Sequence, residues 1–436
     1  MKRAAFYTLG CKVNQYETEA MIESFEDLGY KIVDYSEFAD VYVINTCTVT
    51  NMGDRKSRQI IRRALDVNPD AFVTVAGCYS QMAPKEVSEI PGVSLVVGTG
   101  EKGRIAELIE YAKENEEKLN LVSDIMEVKE FEETRIKNYK DRTRAFLKIQ
   151  EGCNQYCTYC IIPYARGRIR SRRPDSIIEE VKELAGNGFK EIVLTGIHVA
   201  SYGKDLGDTS LIEIIERVHD IPVIERIRMS SVDPNAMTGE FIDRLRNLPK
   251  ICRHFHLSLQ SGCDETLKRM NRKYTTQEYK GLVERLREVF TDVAITTDLI
   301  VGFPGETEEE FQKTVDFIKD ISFSAMHVFK YSPRKGTPAS NYKGQVSPQV
   351  KDARSRLIVS IAKGNEEKYK KSFIGRKMKV LYERQIDDKS SVFEGLTDNY
   401  IRVESESRKD IKGKIVETAL LELKEDHLTG KILNVY

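Results

Sequence analysis

Residues 145–160 read AFLKIQEGCNQYCTYC, a predicted strand followed at once by Cys153, Cys157 and Cys160. Cysteine thiolates hold iron–sulfur clusters, and a [4Fe–4S] cubane takes four ligands, so three cysteines leave one iron open to a small chelating molecule. A tetrahedral zinc site would need a fourth protein ligand, and no nearby Cys or His supplies it. The spacing therefore favours an iron–sulfur cluster. A zinc site completed by a distant residue and a chance grouping are the alternatives.

Strands and helices alternate after this loop. The pattern predicts strands at 145–150, 191–195, 226–230, 254–259, 293–301 and 325–329. Helices are predicted at 174–187, 211–219, 239–248, 276–289 and 307–318, and a long helix at 348–371 leads away. Six such strands indicate an incomplete (βα)6 barrel rather than a closed eight-fold one.

The N-terminal part alternates in the same way, which predicts a doubly wound parallel sheet. Its strands are predicted at 4–9, 30–34, 41–45, 72–76 and 93–97, with helices at 17–28, 54–65 and 102–113. Cys11, Cys47 and Cys78 each follow one of these strands. Because the carboxyl ends of parallel strands line a common crevice, the three cysteines can converge on a second cluster. Packing would explain any one of them alone.

The last part of the chain carries only short alternating segments. Strands are predicted at 378–383, 392–396, 400–404, 414–423 and 430–435, which indicates a small β-barrel. A charged connection at 114–140, rich in Glu, Lys and Asn, separates the first two parts. We therefore expect three domains with limits at 1–125, 126–370 and 371–436.

The composition is that of a globular protein, with 40% hydrophobic and 31% charged residues among 436. The sequence has no apolar run of membrane-spanning length and no signal peptide, so we expect a cytoplasmic protein without a membrane partner. Acidic residues outnumber basic ones by six in 1–125, and basic ones exceed acidic by six in 126–436. This modest basic bias permits a nucleic-acid partner and also fits ordinary solvated charge.

Polar and glycine residues follow the predicted barrel strands, where ligands of such barrels lie. The C-x3-C-x2-C spacing of residues 153–160 resembles the radical S-adenosylmethionine superfamily. The resemblance implies that S-adenosylmethionine chelates the open iron and is split to a 5′-deoxyadenosyl radical, with the three cysteines as the catalytic group. The expected cofactor-binding residues are Thr195, Gly196, Ser258, Gln260, Ser261, Asp298, Gly302 and Gly305. The superfamily's Gly-Gly-Glu is missing after the second strand, which leaves the contact to the methionine amino group unassigned.

Both cysteine triads together resemble the radical methylthiotransferases, over nearly the whole chain. Residues 10–15, Gly-Cys-Lys-Val-Asn-Gln, are similar to the branch that acts on N6-threonylcarbamoyladenosine in tRNA. The resemblance implies a C-terminal TRAM module, two [4Fe–4S] clusters and insertion of a methylthio group at C2 of the base beside the anticodon. The cluster on Cys11, Cys47 and Cys78 would carry the sulfur. The alternatives are the branches acting on isopentenyladenosine or a ribosomal protein, and a non-catalytic iron–sulfur RNA-binding protein.

Five arginines follow the 153–160 loop within eight residues. They are Arg166, Arg168, Arg170, Arg172 and Arg173. Guanidinium groups bind phosphates through paired, charge-assisted hydrogen bonds, so we expect this loop to contact RNA or a cofactor. Exposed loop charge without a ligand is the alternative. The expected partners are the tRNA anticodon stem-loop, S-adenosylmethionine and an unidentified electron donor.

Overall fold

The computed structural model describes residues 1–115, 118–137, 139, 142–387 and 390–434. Parts of two predictions lie outside these residues. They are positions 116, 117, 138 and 140 of the charged connection 114–140, and Val435 at the end of the last predicted strand. Among the described residues, no helix combines the length and the apolar character that a membrane span requires.

The N-terminal part folds as predicted into a doubly wound sheet. Its strands are β1 Arg3–Thr8, β2 Lys31–Val33, β3 Val41–Thr46, β4 Phe72–Gly77, β5 Val93–Val97 and β6 Leu119–Leu121. Its helices are α1 Lys12–Asp27, α2 Asn51–Val67, α3 Cys78–Met82, α4 Pro84–Ser88 and α5 Ile105–Glu114. The strands are all parallel, in the order β2-β1-β3-β4-β5-β6.

Helices cover both faces of this sheet. Met21 and Phe25 of α1 join α5 in one apolar cluster, whereas Ile60 and Ile61 of α2 join α4 in another. Strand β3 is buried along its whole length, as a parallel strand between two helical layers must be. Strand β6 was not predicted, because it lies within the charged connection 114–140.

The central part forms the predicted incomplete barrel. Its strands are β7 Arg144–Glu151, β8 Arg170–Ser171, β9 Glu191–Gly196, β10 Arg226–Met229, β11 His254–His256, β12 Ala294–Val301 and β13 Ala325–Lys330. Its helices are α6 Ile162–Arg166, α7 Pro174–Gly186, α8 Leu211–His219, α9 Gly239–Arg246, α10 Asp264–Arg269, α11 Thr276–Val289 and α12 Glu308–Ile321. Parallel bridges Ile227–Ile251 and Val232–Leu257 join the β10-β9-β7-β8 sheet to the β11-β12-β13 sheet.

Strand β11 is shorter than the predicted 254–259, because side-chain hydroxyls replace part of the strand pairing. The Thr297 hydroxyl donates to the Leu257 carbonyl, and the Leu259 amide donates to the same hydroxyl. The Tyr274 hydroxyl reaches the carbonyls of Ser258 and Leu259 at 2.6 and 2.7 Å. The chain after β11 therefore forms an irregular segment beside the strand ends.

Helix α13, Pro348–Lys371, leads to a closed five-stranded barrel in the order β14-β15-β16-β18-β17. Its strands are β14 Lys377–Gln385, β15 Val392–Thr397, β16 Arg402–Glu406, β17 Ile415–Lys424 and β18 His427–Asn434. The predicted small β-barrel is thus confirmed, and closure leaves no free sheet edge. The domain limits at residues 125 and 370 stay predictions.

The small barrel docks on the amino-terminal ends of the central strands, which we call the barrel floor. Arg226 of β10 donates to the carbonyls of Leu396 and Lys379 at 3.0 and 2.7 Å. Tyr400, in the β15–β16 turn, stacks on His254 with ring centroids 4.5 Å apart. The C-terminal module therefore closes the end of the central barrel opposite the cysteine loop.

Candidate functional site

The loop after β7 gathers the first three cysteines in a buried bend. Gly152 begins it at φ +70°, and a side chain there would lie 1.8 Å from the Arg168 carbonyl oxygen. The Cys153 amide donates to the Gly167 carbonyl at 3.0 Å, which ties the loop to the segment after α6. Burial raises the pKa of Cys153 to about 11 and that of Cys160 to about 12, and the neighbouring cysteines act in the same direction. The structure brings Cys153, Cys157 and Cys160 together.

A buried arginine accompanies this triad. Arg272 donates through Nη1 to the Cys157 sulfur at 3.4 Å and through Nη2 to Asp233 at 3.0 Å. Its Nε donates to the Tyr274 hydroxyl at 3.0 Å. A guanidinium group stabilises a thiolate, which is the form that binds a metal. Sequence reasoning missed Arg272, because it lies 112 residues after Cys160 in an unremarkable charged segment.

The second triad also comes together, at the carboxyl ends of β1, β3 and β4. Cys11 is the N-cap of α1, Cys47 follows β3 and Cys78 begins α3. A side chain on Gly10 would lie 2.8 Å from Cβ and 3.0 Å from the sulfur of Cys47, so glycine permits this approach. Burial raises the pKa of Cys47 to about 11, and charge on Cys78 and Cys11 adds to the effect. The crevice expected at the edge of a parallel sheet is present.

Arg166 is the buried arginine of the second triad. Its Nε donates to the Cys78 sulfur at 3.3 Å, and its guanidinium pairs with Glu17. Its Nη2 donates to the Asn14 side-chain oxygen at 2.5 Å. Each triad thus has one sulfur that accepts a hydrogen bond from a buried guanidinium group.

The prediction that Arg166, Arg170 and Arg172 contact RNA is wrong, because all three are buried in the protein. Arg170 binds Glu151 at 3.1 Å. Arg172 pairs with Glu180, also fully buried. These side chains hold the segment after α6 against α1, β7 and α7. Arg168 and Arg173 of the same segment are exposed, and their contact with RNA stays a prediction.

The charges around Arg166 do not balance. The carboxylates of Glu17 and Glu151 share one buried cluster with four cations, namely Lys102, Lys148, Arg166 and Arg170. Counting Glu132, whose charge also acts on Lys148, the cations remain in excess. Burying unpaired cations costs several kcal/mol, roughly, so an anionic neighbour is needed. Deprotonated cysteines ligating an iron–sulfur cluster would meet that need at Cys78, so the residues present fit such a group.

The expected S-adenosylmethionine residues lie at or just past the carboxyl ends of β9, β11 and β12, except Asp298, which lies within β12. Gly196 packs on Gln150, whose side-chain oxygen would lie 2.9 Å from an added Cβ. The backbone at Gly302 and Gly305 takes φ values of +69° and +77°, which favour glycine. The Ser261 hydroxyl lies 3.4 Å from that of Thr314 and is engaged within the protein. Thr195 and Ser261 are buried, whereas Ser258 is half-buried.

Two features of this region were not predicted. Gln260 has φ +70°, and its amide and carbonyl pair with the backbone of β12. Asp298 accepts from His327 at 3.2 Å and lies 3.3 Å from His256 Nε2. Burial raises the pKa of Asp298, but the two histidines outweigh it and hold the pKa below its ordinary value. Ligand atoms of these three side chains lie within 4.8 Å of one another, close enough to hold a cation.

Comparison with known proteins covers the whole chain. The profile of the radical SAM superfamily matches residues 147–318, and that of uncharacterized protein family UPF0004 matches residues 3–98. The threonylcarbamoyladenosine tRNA methylthiotransferase MtaB of Bacillus subtilis is 43% identical over all of this chain and 97% of its own length. Its namesake in Aquifex aeolicus is 40% identical over 96% of this chain and its own full length. The tRNA-2-methylthio-N(6)-dimethylallyladenosine synthase of Clostridium tetani is 36% identical over 97% of this chain and 95% of its own length.

A solved structure shares the fold. The radical S-adenosylmethionine methyltransferase TsrM of Kitasatospora setae, with cobalamin and a [4Fe–4S] cluster bound, aligns with a TM-score of 0.58. The match covers 78% of this chain and 77% of that chain at 19% identity. At this identity the likeness concerns the fold alone.

Proposed function

We propose that this chain, which belongs to the radical S-adenosylmethionine methylthiotransferase family, inserts a methylthio group at C2 of N6-threonylcarbamoyladenosine in tRNA. The relatives from Bacillus subtilis and Aquifex aeolicus are named for this activity. They match this chain over 100% and 96% of its length. The observation that carries the proposal is the pair of cysteine triads, each with a buried arginine on one sulfur. A single triad would fit many radical enzymes, whereas two in one chain fit sulfur insertion.

The two triads would hold two [4Fe–4S] clusters. The cluster on Cys153, Cys157 and Cys160 would supply, with S-adenosylmethionine, the radical that removes the C2 hydrogen, and the other would supply sulfur. The chain itself must hold both cysteine sets deprotonated. Arg272 and Arg166 serve this purpose, since a buried guanidinium group offsets thiolate charge where water is excluded.

The groups beside the first triad would position S-adenosylmethionine. The positive φ values of Gly302 and Gly305 shape the loop after β12, and a Cβ added to Gly302 would lie 2.4 Å from the Lys351 side chain. The Gly302 amide is already held by Glu306, at 2.6 Å, and Glu306 is paired with Arg354. This fixes the loop after β12 before the cofactor arrives. Asp233, fixed by Arg272, presents a carboxylate near the cysteine loop and is a candidate for the unassigned contact to the methionine amino group.

The tRNA must present the target base outside its stack, which the single-stranded anticodon loop permits. Arg168 and Arg173 are exposed beside the cysteine loop and suit phosphates. The C-terminal barrel belongs to a class of small β-barrels that bind RNA. An electron donor must also dock, and we place the enzyme in the cytoplasm, where its tRNA substrate is found.

Nucleoside mass spectrometry of tRNA from cells that lack the gene tests the proposal. We expect the 2-methylthio form of N6-threonylcarbamoyladenosine to disappear and the unthiolated form to accumulate. Plasmid-borne wild type should restore it, whereas Cys47→Ala and Cys157→Ala should not. In vitro, Cys157→Ala should lose S-adenosylmethionine cleavage and Cys47→Ala should retain it. Loss of a methylthio group from isopentenyladenosine instead would assign the chain to the other tRNA branch.

A further inference from the structure

Lys12 is a half-buried cation at the junction of the three parts of the chain. It is the first residue of α1 and follows Cys11 directly. Its ammonium lies 6.0 Å from the centroid of the Phe146 ring. Among the described residues, no carboxylate lies within salt-bridge distance of Lys12 and no acceptor takes its protons. Lys12 is half-buried, so water can solvate its ammonium group only in part.

The groups around Lys12 are cations that already have partners. Arg144 is bound through two nitrogens to Glu383. Arg228 donates to Glu191 at 2.7 Å and to the Asp398 carbonyl at 3.0 Å. The available carboxylates are therefore taken, and the charge of Lys12 is surplus.

The pKa of Tyr400 reflects this excess of positive charge. The guanidinium carbons of Arg144 and Arg228 lie 5.8 and 4.9 Å from its centroid. Burial raises the pKa of Tyr400, yet the charges of Lys12 and the two arginines outweigh burial and hold the pKa below its ordinary value. The barrel floor beside Lys12 is thus a place where a negative charge would be stabilised.

We propose that Lys12 binds the carboxylate of the threonylcarbamoyl group on the target base and so selects an acidic N6 substituent; this rests on the proposed function. C2 and C6 of adenine both flank N1, so the reacting carbon and the N6 substituent share one edge of the base. Cys11, a candidate ligand of the sulfur-supplying cluster, and Lys12 are consecutive and can serve these two positions. An apolar N6 substituent would leave the ammonium without a partner, which disfavours it.

Binding of anticodon stem-loops to the full-length holoenzyme tests this assignment by fluorescence anisotropy. Three stem-loops are compared: one with N6-threonylcarbamoyladenosine, one with its neutral carboxyl methyl ester and one with unmodified adenosine. Wild type should prefer the acid over the ester by about 10- to 100-fold, the range for loss of a charge-assisted hydrogen bond. Lys12→Gln should abolish the preference, and Lys12→Arg should retain most of it. Lys31→Gln, at the exposed first residue of β2, is the matched control and should behave as wild type.

The outcomes separate this inference from the proposed function. Wild type that methylthiolates the acid but binds acid and ester alike would overturn the role of Lys12, whatever the variants do. A full preference retained in Lys12→Gln would also overturn it. Wild type that yields no methylthiolated product from the acid would instead reject the proposed function. Iron and sulfide content of each variant shows that a changed preference does not come from a lost cluster.

Discussion

Replacement of Arg166 by methionine should remove the second cluster and leave the first. Methionine fills a similar apolar volume but provides neither charge nor donors. The change removes the hydrogen bond to the Cys78 sulfur, the bond to Asn14 and the pair with Glu17. Of these, the bond to the sulfur acts on the triad directly.

The expected loss of stability depends on the cations that still pair with Glu17 in the variant. Breaking a buried ion pair costs about 3–5 kcal/mol when one charge is left alone. Glu17 keeps Lys102 as a partner and Lys148 at 3.6 Å. We therefore expect the lower end, about 3 kcal/mol, which corresponds to a melting temperature lower by roughly 6–12 °C for a domain of ordinary size.

The assay is iron and acid-labile sulfide per chain, with melting temperature measured in parallel. Two cubanes give about eight irons in the wild type, and Arg166→Met should hold about four while still cleaving S-adenosylmethionine. Arg172→Met is the matched control, since Arg172 is equally buried and paired with Glu180 but touches no cysteine. It should lose more stability than Arg166→Met, because Glu180 has no second cation among the described residues, and it should keep about eight irons. Arg166→Met with a full iron content and wild-type methylthiolation would refute the reasoning.

Three further predictions concern other parts of the molecule. The double variant Arg168→Gln, Arg173→Gln should bind tRNA more weakly. The slope of log affinity against log salt concentration should fall by about 1–2, as measured by fluorescence anisotropy at several salt concentrations. An unchanged slope would exclude phosphate contacts by these two arginines. In the cluster-free protein, burial raises the pKa of Cys153 to about 11, so alkylation of this thiol, followed by peptide mass spectrometry, should be slow at pH 7 and rise about tenfold per pH unit. A flat rate between pH 7 and 9 would contradict this. Arg253→Ala removes two hydrogen bonds to the Asp398 carboxylate, at 2.7 and 3.2 Å. Amide hydrogen exchange in the β15–β16 turn should become about fivefold faster, which corresponds to about 1 kcal/mol. Equal exchange rates would show that this pair does not hold the C-terminal barrel in place.

The strands and helices were predictable because local signals agree with the tertiary fold. Thr307 caps α12 in a capping box with Glu310, as its sequence position suggests. Helices α8 and α11 have the predicted limits, and they also begin with capping boxes. The predictions failed where side chains that are distant in sequence determine the local backbone structure. Strand β11 ends early because Tyr274 and Thr297 supply hydroxyl groups to its backbone, and no pattern within 254–259 announces either residue.

The arginine residues between 166 and 173 show that sequence pattern alone was also insufficient to predict contacts at the site. Spacing predicts that five guanidinium groups in one loop face a ligand, but it cannot tell a phosphate from a buried carboxylate. Arg166 is internal because it pairs with Glu17 on α1, 149 residues earlier, and Arg172 is internal because it pairs with Glu180 on α7, eight residues later. The cysteines were easier to interpret, since strand ends of a parallel sheet converge whatever the side chains between them. Arg272 could not be found, because only the folded loop brings it to Cys157.

The C-terminal barrel also contributes to the surroundings of Lys12. Its Tyr400 ring rests on His254 and beside Arg228, so it forms part of the floor against which Lys12 lies. The same α1 helix begins at Lys12 and carries Glu17, which orders Arg166 at the Cys78 sulfur. One rigid helix therefore links the position of the second cluster to the group that we assign to the substrate's carboxylate. Because α1 packs on the N-terminal sheet and on β7 and β9 of the central barrel, a base held by Lys12 would also be held at a set distance from Cys11. Recognition of the N6 substituent and delivery of sulfur to C2 are, on this geometry, two consequences of the same docking.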